Sequence, residues 1–222
     1  MQLSDVMRTT FAAREYTDET ISDATLYRIL EQARFAPSGG NRQGWRVVIV
    51  KDTAIRTAMK QLMQPAIKQY LAQSMAGEVP FNTIKESSVD DETIANMPAR
   101  FPLVDQLESA PALLVISVDL SQVTSFDRDL SRVGVISGAS IYPFVWNILL
   151  AARNEGLGGV LTTFLAHGEE AAKALLKLPP SFAVASMVAL GKPVKQLTRL
   201  KRSPVETFAR VDSWQGEAFT GH

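Results

Sequence analysis

The chain has 222 residues, 46% of them hydrophobic, with 23 Lys and Arg against 23 Asp and Glu and no cysteine. Zero formal charge leaves no global field to draw in nucleic acid or an anionic membrane. The missing cysteines exclude disulfide frameworks, thiolate catalysis and cysteine-ligated zinc, while the length suffices for a substantial core without them. The opening residues "MQLSDVMRTT" lack the apolar core of a signal peptide, and the apolar runs are too short to cross a bilayer, so a cytoplasmic location is expected.

In chain order, residues 22–36 read as a helix. Leu26, Ile29, Leu30 and Ala33 follow i, i+3, i+4, i+7 spacing, Ser22 is the candidate N-cap, and Pro37 stops the run. "WRVVIV" (45–50) reads as a strand, and a helix is expected over 53–74. Residues 75–110 mix turn formers and charge without a sustained period, the pattern either of a lid or insertion over a site or of a short disordered excursion. "PALLVISV" (111–118) reads as a strand buried on both faces. A long helix rich in small residues is expected over 132–155, kinked or bounded at Pro143 and ended by Gly156. "GVLTTF" is extended, "EEAAKALLKL" a helix, and "FAVASMVAL" a further strand. No repeat or linker divides the chain, so one α+β domain over 1–222 is expected.

The usual acid–base and nucleophile sets are missing. Only two histidines occur: His222 is terminal, and His167, just ahead of a helix, reads as a polar end-residue. There is no Gly-x-Ser-x-Gly elbow, no His-Glu-x-x-His and no metal-ligand spacing. "GLGG" (156–159) follows a helix, whereas a dinucleotide fingerprint follows a strand. Any enzymatic chemistry here falls to a cofactor.

Four segments carry a specific resemblance. "APSGGNRQGW" is similar to the Ala-Pro-Ser-x-x-Asn-x-Gln-Pro-Trp segment of the FMN-dependent nitroreductase family, with Gly44 where that family usually has Pro. "MRTTFAAREYTDETI" resembles its N-terminal arm, "GASIYPFVWNILLAARNEGLGGVLTT" its central helix and following turn, and "LLKLPPSFAVASMVALGKPV" with "RLKRSPVE" its C-terminal third. The resemblance implies a three-layer fold with a mostly antiparallel central sheet flanked by helices, in an intertwined homodimer. It further implies FMN at the subunit interface, NADPH or NADH as reductant, and ping-pong hydride transfer through flavin N5 to a small acceptor such as a nitroaromatic or quinone. A specialised reaction, such as reductive dehalogenation or flavin fragmentation, and a flavin-binding protein with little turnover are the alternatives.

The same resemblance assigns residues. Pro37, Ser38, Gly39, Asn41 and Gln43 would meet the flavin, from the neighbouring subunit, and Arg14 its N1/O2 edge, where a cation stabilises the charge of reduction. Leu161, Thr162 and Thr163 would face its N5/O4 side. Lys201 and Arg202, with Arg199 in reserve, would hold the phosphate. The arm reads Thr10, Phe11, Ala12, Ala13, Arg14 in the register where the family commonly has Arg-Arg-Ser-x-Arg, so Arg8 stands as the replacement cation. No side chain is expected to act as nucleophile, and no metal is expected.

Overall fold

A computed structural model describes residues 1–221; His222, read as a terminal solvated residue, lies outside the described residues. The elements run α1 (Leu3–Thr9), α2 (Asp23–Ala33), β1 (Trp45–Ile49), α3 (Thr53–Met75), α4 (Asp91–Asn96), α5 (Pro102–Asp105), β2 (Ala112–Asp119), α6 (Tyr142–Asn154), β3 (Gly158–Thr162), α7 (Glu169–Leu176) and β4 (Phe182–Gly191). Caps explain several boundaries. Ser22 Oγ accepts the Thr25 N–H at 3.1 Å to open α2, and Asp52 accepts from Ala54 and Ile55 to open α3. Gly156, at φ +81°, closes α6: its own N–H reaches Arg153 O and the next N–H reaches Ala152 O.

The sheet has four strands in the order β1-β2-β4-β3, every pair antiparallel. Strand period separates two cores. Leu114 and Ile116 of β2 with Val188 and Leu190 of β4 face Leu26 and Ile29 of α2 and Phe144 and Ile148 of α6. The alternate residues Leu113, Val115, Met187 and Ala189 face Met59, Met63 and Ile67 of α3, Leu103 and Val104 of α5, and Ala172 of α7. Helices on both faces of an antiparallel sheet give the expected three-layer α+β arrangement, and β2 is buried on both sides as its continuous apolar run predicts.

The structure departs from the sequence reading at one helix and adds detail at two other places. The helix expected over 132–155 begins only at Tyr142, with Pro143 in its first turn, after a short 3₁₀ segment at Ile136–Ser140. Asp127 is the reason. Its carboxylate accepts the backbone N–H groups of Val135 (2.7 Å) and Ile136 (3.3 Å), the Arg132 guanidinium and the Ser125 hydroxyl. A side chain that captures those N–H groups competes with helix formation, and the same bonds hold its carboxyl far below the usual carboxylate range. Second, α1 was not anticipated, although Leu3, Val6 and Met7 carry a weak helical spacing. Third, the segment 75–110 holds α4 and α5, and Leu103, Val104 and Leu107 are wholly buried, so its end is core.

Candidate functional site

The arm that follows α1 is held to the sheet by backbone. The Ala13 N–H donates to Gly159 O at 3.0 Å, Ala12 and Gly159 form a parallel bridge, and the Thr17 N–H donates to Lys192 O at 2.9 Å. The Tyr16 hydroxyl lies between two carbonyls, Ala13 O at 2.6 Å and Ala189 O at 3.0 Å. Burial pushes that phenol well above its ordinary range, against the opposing pull of Arg14, so it remains a neutral donor fastening arm to β4. A side chain at Gly159 is impossible without movement, because an added Cβ would stand 2.8 Å from Ala189 O and 2.4 Å from Leu190 Cδ2.

This docking sets Arg14 beside the end of β3, at a cavity of about 510 Å³. Arg14, Leu161, Thr162 and Thr163 line it together. Its other walls are aromatic. Tyr70 of α3, Phe101 and Phe164 meet edge to face with centroids 5.1–6.1 Å apart, and the Arg14 guanidinium carbon is 5.9 Å from the Phe101 ring centre. Phe81 and His167 close another side, their rings 5.8 Å apart. The volume and the apolar lining with a few polar groups suit a flat organic molecule.

A second cavity, about 450 Å³, is lined by Met7, Arg8, Thr198, Arg199, Leu200 and Arg202. Three arginines from chain regions nearly 200 residues apart in sequence thus line one concave surface, the residue types that suit a multiply charged anion. Lys201 does not line it, and its carbonyl accepts from Arg202. Thr10 is buried, its hydroxyl donating to Val6 O at 2.7 Å. A smaller cavity of about 290 Å³ shares Arg14 with the first and is lined also by Lys195 and Leu197.

The loop 37–43 lies elsewhere. It leads into β1, one edge of the sheet, whereas Leu161–Thr163 end β3, the other edge. Three strand spacings, roughly 14 Å at about 4.8 Å each, separate those edges. The loop has a defined shape. Gly40 (φ +60°), Asn41 (φ +52°) and Gln43 (φ +51°) are all left-handed, a costly state for Gln43. Ser38 Oγ accepts the Gln43 N–H at 3.0 Å, and the Gln43 amide donates to Asn41 Oδ1 at 3.1 Å. Within the chain, Arg42 folds over the glycines, donating to Gly39 O at 3.1 Å, while the Gly39 N–H donates to Ser140 Oγ at 3.0 Å. Pro37, Ser38, Gly39, Asn41 and Gln43 line no part of the 510 Å³ cavity. Gly44 is buried, its carbonyl accepting the Asp119 N–H at 2.9 Å, and an added Cβ there would stand 3.0 Å from Gln122 Cβ.

The structure therefore brings Arg14 together with Leu161–Thr163, and Arg8 with Arg199 and Arg202, and leaves the 37–43 loop apart from both. Sequence reasoning missed Tyr70, Phe81, Phe101, Phe164 and Lys195 and set His167 aside as an end-residue. For Phe81 and Phe101 the only advance signal was an aromatic residue in a segment without period; Tyr70, Phe164 and Lys195 gave none.

Comparison with known proteins completes the description. The sequence model described as the nitroreductase family matches residues 7–192. The chain is 28% identical over 208 residues to a protein named NADH dehydrogenase from Thermus thermophilus, covering 91% of this chain and 90% of that one. The NADPH:FMN oxidoreductase of Vibrio harveyi, solved with NAD⁺, superimposes with a TM-score of 0.67 at 20% identity over 96% of this chain and 78% of its own. A BluB-like flavoprotein from Clostridium difficile gives 0.69 at 19% identity, over 94% and 98%. Both structures share the fold.

Proposed function

The chain belongs to the nitroreductase family, and from that premise we propose that it is an FMN-dependent NAD(P)H oxidoreductase passing electrons to a nitroaromatic, quinone or similar small acceptor. The observation that carries this reading is a pair of cavities at the N-terminal arm, one lined by Arg8 just before it and one by Arg14 within it. One presents Arg8, Arg199 and Arg202, the chemistry a phosphomonoester needs, and the other presents Arg14 and the backbone of Leu161–Thr163 among aromatic walls. The residues present therefore fit FMN despite Thr10 and Ala12 in the arm, with Arg8 supplying the charge from α1.

Bound FMN would supply the hydride chemistry, accepting from NADPH or NADH and giving from N5 to the acceptor in ping-pong order. The chain's own residues bind, orient and exclude water. Arg8, Arg199 and Arg202 neutralise phosphate. Arg14 would stabilise negative charge on the ring edge, and the aromatic walls would keep that interaction in a low dielectric. No protein nucleophile enters the scheme.

The loop 37–43 joins the site in a homodimer, reaching the cavity of the partner. The separation of the two sheet edges supports this, as do the exposed apolar side chains Tyr142 and Trp146 on α6 and Phe208 and Trp214 in the C-terminal tail. The chain acts as one domain with part of 75–110 as a lid, in the cytoplasm. No helix among the described residues is long and apolar enough to cross a membrane.

The test is a visible absorption spectrum of the purified protein before and after anaerobic NADPH or NADH. Flavin bands that bleach with either reductant and return on adding a quinone are the expected result. A colourless protein that also fails to take up added FMN would sink the proposal.

A further inference from the structure

Residues 76–89 leave α3 and return beside the mouth of the 510 Å³ cavity, held by two polar anchors. Gln73, buried on α3, accepts the Phe81 N–H through Oε1 at 2.8 Å, and its carbonyl accepts the Glu78 N–H at 2.9 Å. The Glu78 carboxylate accepts the Ser87 hydroxyl at 2.6 Å and both the N–H and hydroxyl of Ser88, at 2.8 and 2.7 Å. Those bonds hold its carboxyl below the usual range, so the clasp persists at neutral pH.

Phe81 itself sits at φ +53°, a conformation a bulky residue keeps only where its surroundings impose it. Here the buried Gln73 amide imposes it. The Phe81 ring stands against His167 and forms a wall shared by two cavities: the aromatic one of about 510 Å³ and a neighbouring polar one of about 590 Å³ lined by Gln69, Gln73, Glu78, Asn82 and Lys85. With Phe81 in place the aromatic cavity must hold a cofactor ring and an acceptor together, which leaves room for a compact acceptor.

We propose that Phe81 determines acceptor size and that Gln73 is its positioning residue: single-ring acceptors are accommodated, and fused-ring acceptors are held back by the Phe81 side chain. This rests on the oxidoreductase reading above. Removing the ring joins the aromatic space to the polar cavity and admits larger acceptors, particularly those carrying a polar substituent.

The experiment uses flavin-loaded wild type, Phe81→Ala, Phe81→Leu, Gln73→Leu and Gln73→Glu, with NADPH or NADH as reductant and two acceptors, 1,4-benzoquinone and 2-methyl-1,4-naphthoquinone. Rates are normalised to bound flavin measured by absorbance. Phe81→Ala is expected to raise the ratio of kcat/KM for the naphthoquinone over the benzoquinone by about tenfold, through KM, with Phe81→Leu between it and wild type. Gln73→Leu shifts the ratio the same way by about threefold, and Gln73→Glu, which keeps an oxygen at that place, holds the wild-type ratio. An unchanged ratio in both Phe81 variants overturns the wall assignment. A Gln73→Glu variant that behaves like Gln73→Leu overturns the positioning role. Wild-type flavin that neither reductant reduces would instead overturn the oxidoreductase reading on which both depend.

Discussion

At the β3 edge of the sheet the candidate site is made of packed backbone. The arm at Ala12–Ala13 bonds to Gly159 of β3 through the main chain, the Tyr16 hydroxyl donates to Ala189 O of β4, and at Gly159 there is no space for one extra carbon. At the β1 edge the loop 37–43 is made of exposed groups held in left-handed conformations by Ser38, Asn41 and Arg42. The first edge belongs to the core and the second stands on it. The contrast teaches that harm at the β3 edge falls on stability, whereas harm at the β1 edge falls on binding.

The comparison is broken most directly by disrupting the proposed homodimer in which the two edges would meet. Trp146→Asp, on the exposed face of α6, is expected to weaken self-association by about 30-fold or more, since central interface aromatics contribute about 2 kcal/mol or more. Analytical ultracentrifugation with flavin content read in parallel checks this, and a variant that stays dimeric would move the interface elsewhere. Next in size is Gly159→Ala, expected to cost about 1–3 kcal/mol and to lower the thermal midpoint by about 5 °C, as seen by calorimetry on the apoprotein. A midpoint equal to wild type would mean the arm is not clamped as described.

Arg202→Ala tests the anion cavity. A charge-assisted hydrogen bond contributes about 1.5–3 kcal/mol, so FMN binding should weaken at least about tenfold in a fluorescence titration, with little change in the midpoint. An unchanged dissociation constant would remove Arg202 from the phosphate set. The smallest effect is expected at the β1 edge. Ser38→Ala removes the acceptor for the Gln43 N–H and should raise the flavin dissociation constant a few-fold, about 1 kcal/mol, while the fold is unaffected. A loss of thermal stability as large as that of Gly159→Ala would erase the distinction between the edges.

Much of the fold is legible in the sequence because its signals are local. The spacing of Leu26, Ile29 and Ala33 with Ser22 as cap gives α2, the unbroken run at 111–118 gives the buried β2, and Gly156 gives the end of α6. The error at 132–141 has an equally local look but a different cause. Small residues there scan as helix, yet the Asp127 carboxylate, several residues upstream, ties the Val135 and Ile136 N–H groups into a turn. The candidate site divides in the same way. A resemblance in short segments picks out Arg8, Arg14, Arg199 and Arg202, because each stands in or near a recognisable arm or tail pattern.

Sequence by itself determined the residue types: a neutral, cysteine-free α+β chain whose turns and cations suit a bound cofactor. Only the tertiary structure decided which of them share a surface. It put Arg8 with Arg199 and Arg202, gathered Tyr70, Phe81, Phe101 and Phe164 from separate stretches of the chain, and set the 37–43 loop on the far edge of the sheet. The physical reason is range: caps, periods and turns act over a few residues, whereas a cavity is closed by groups whose separation along the chain carries no local signal.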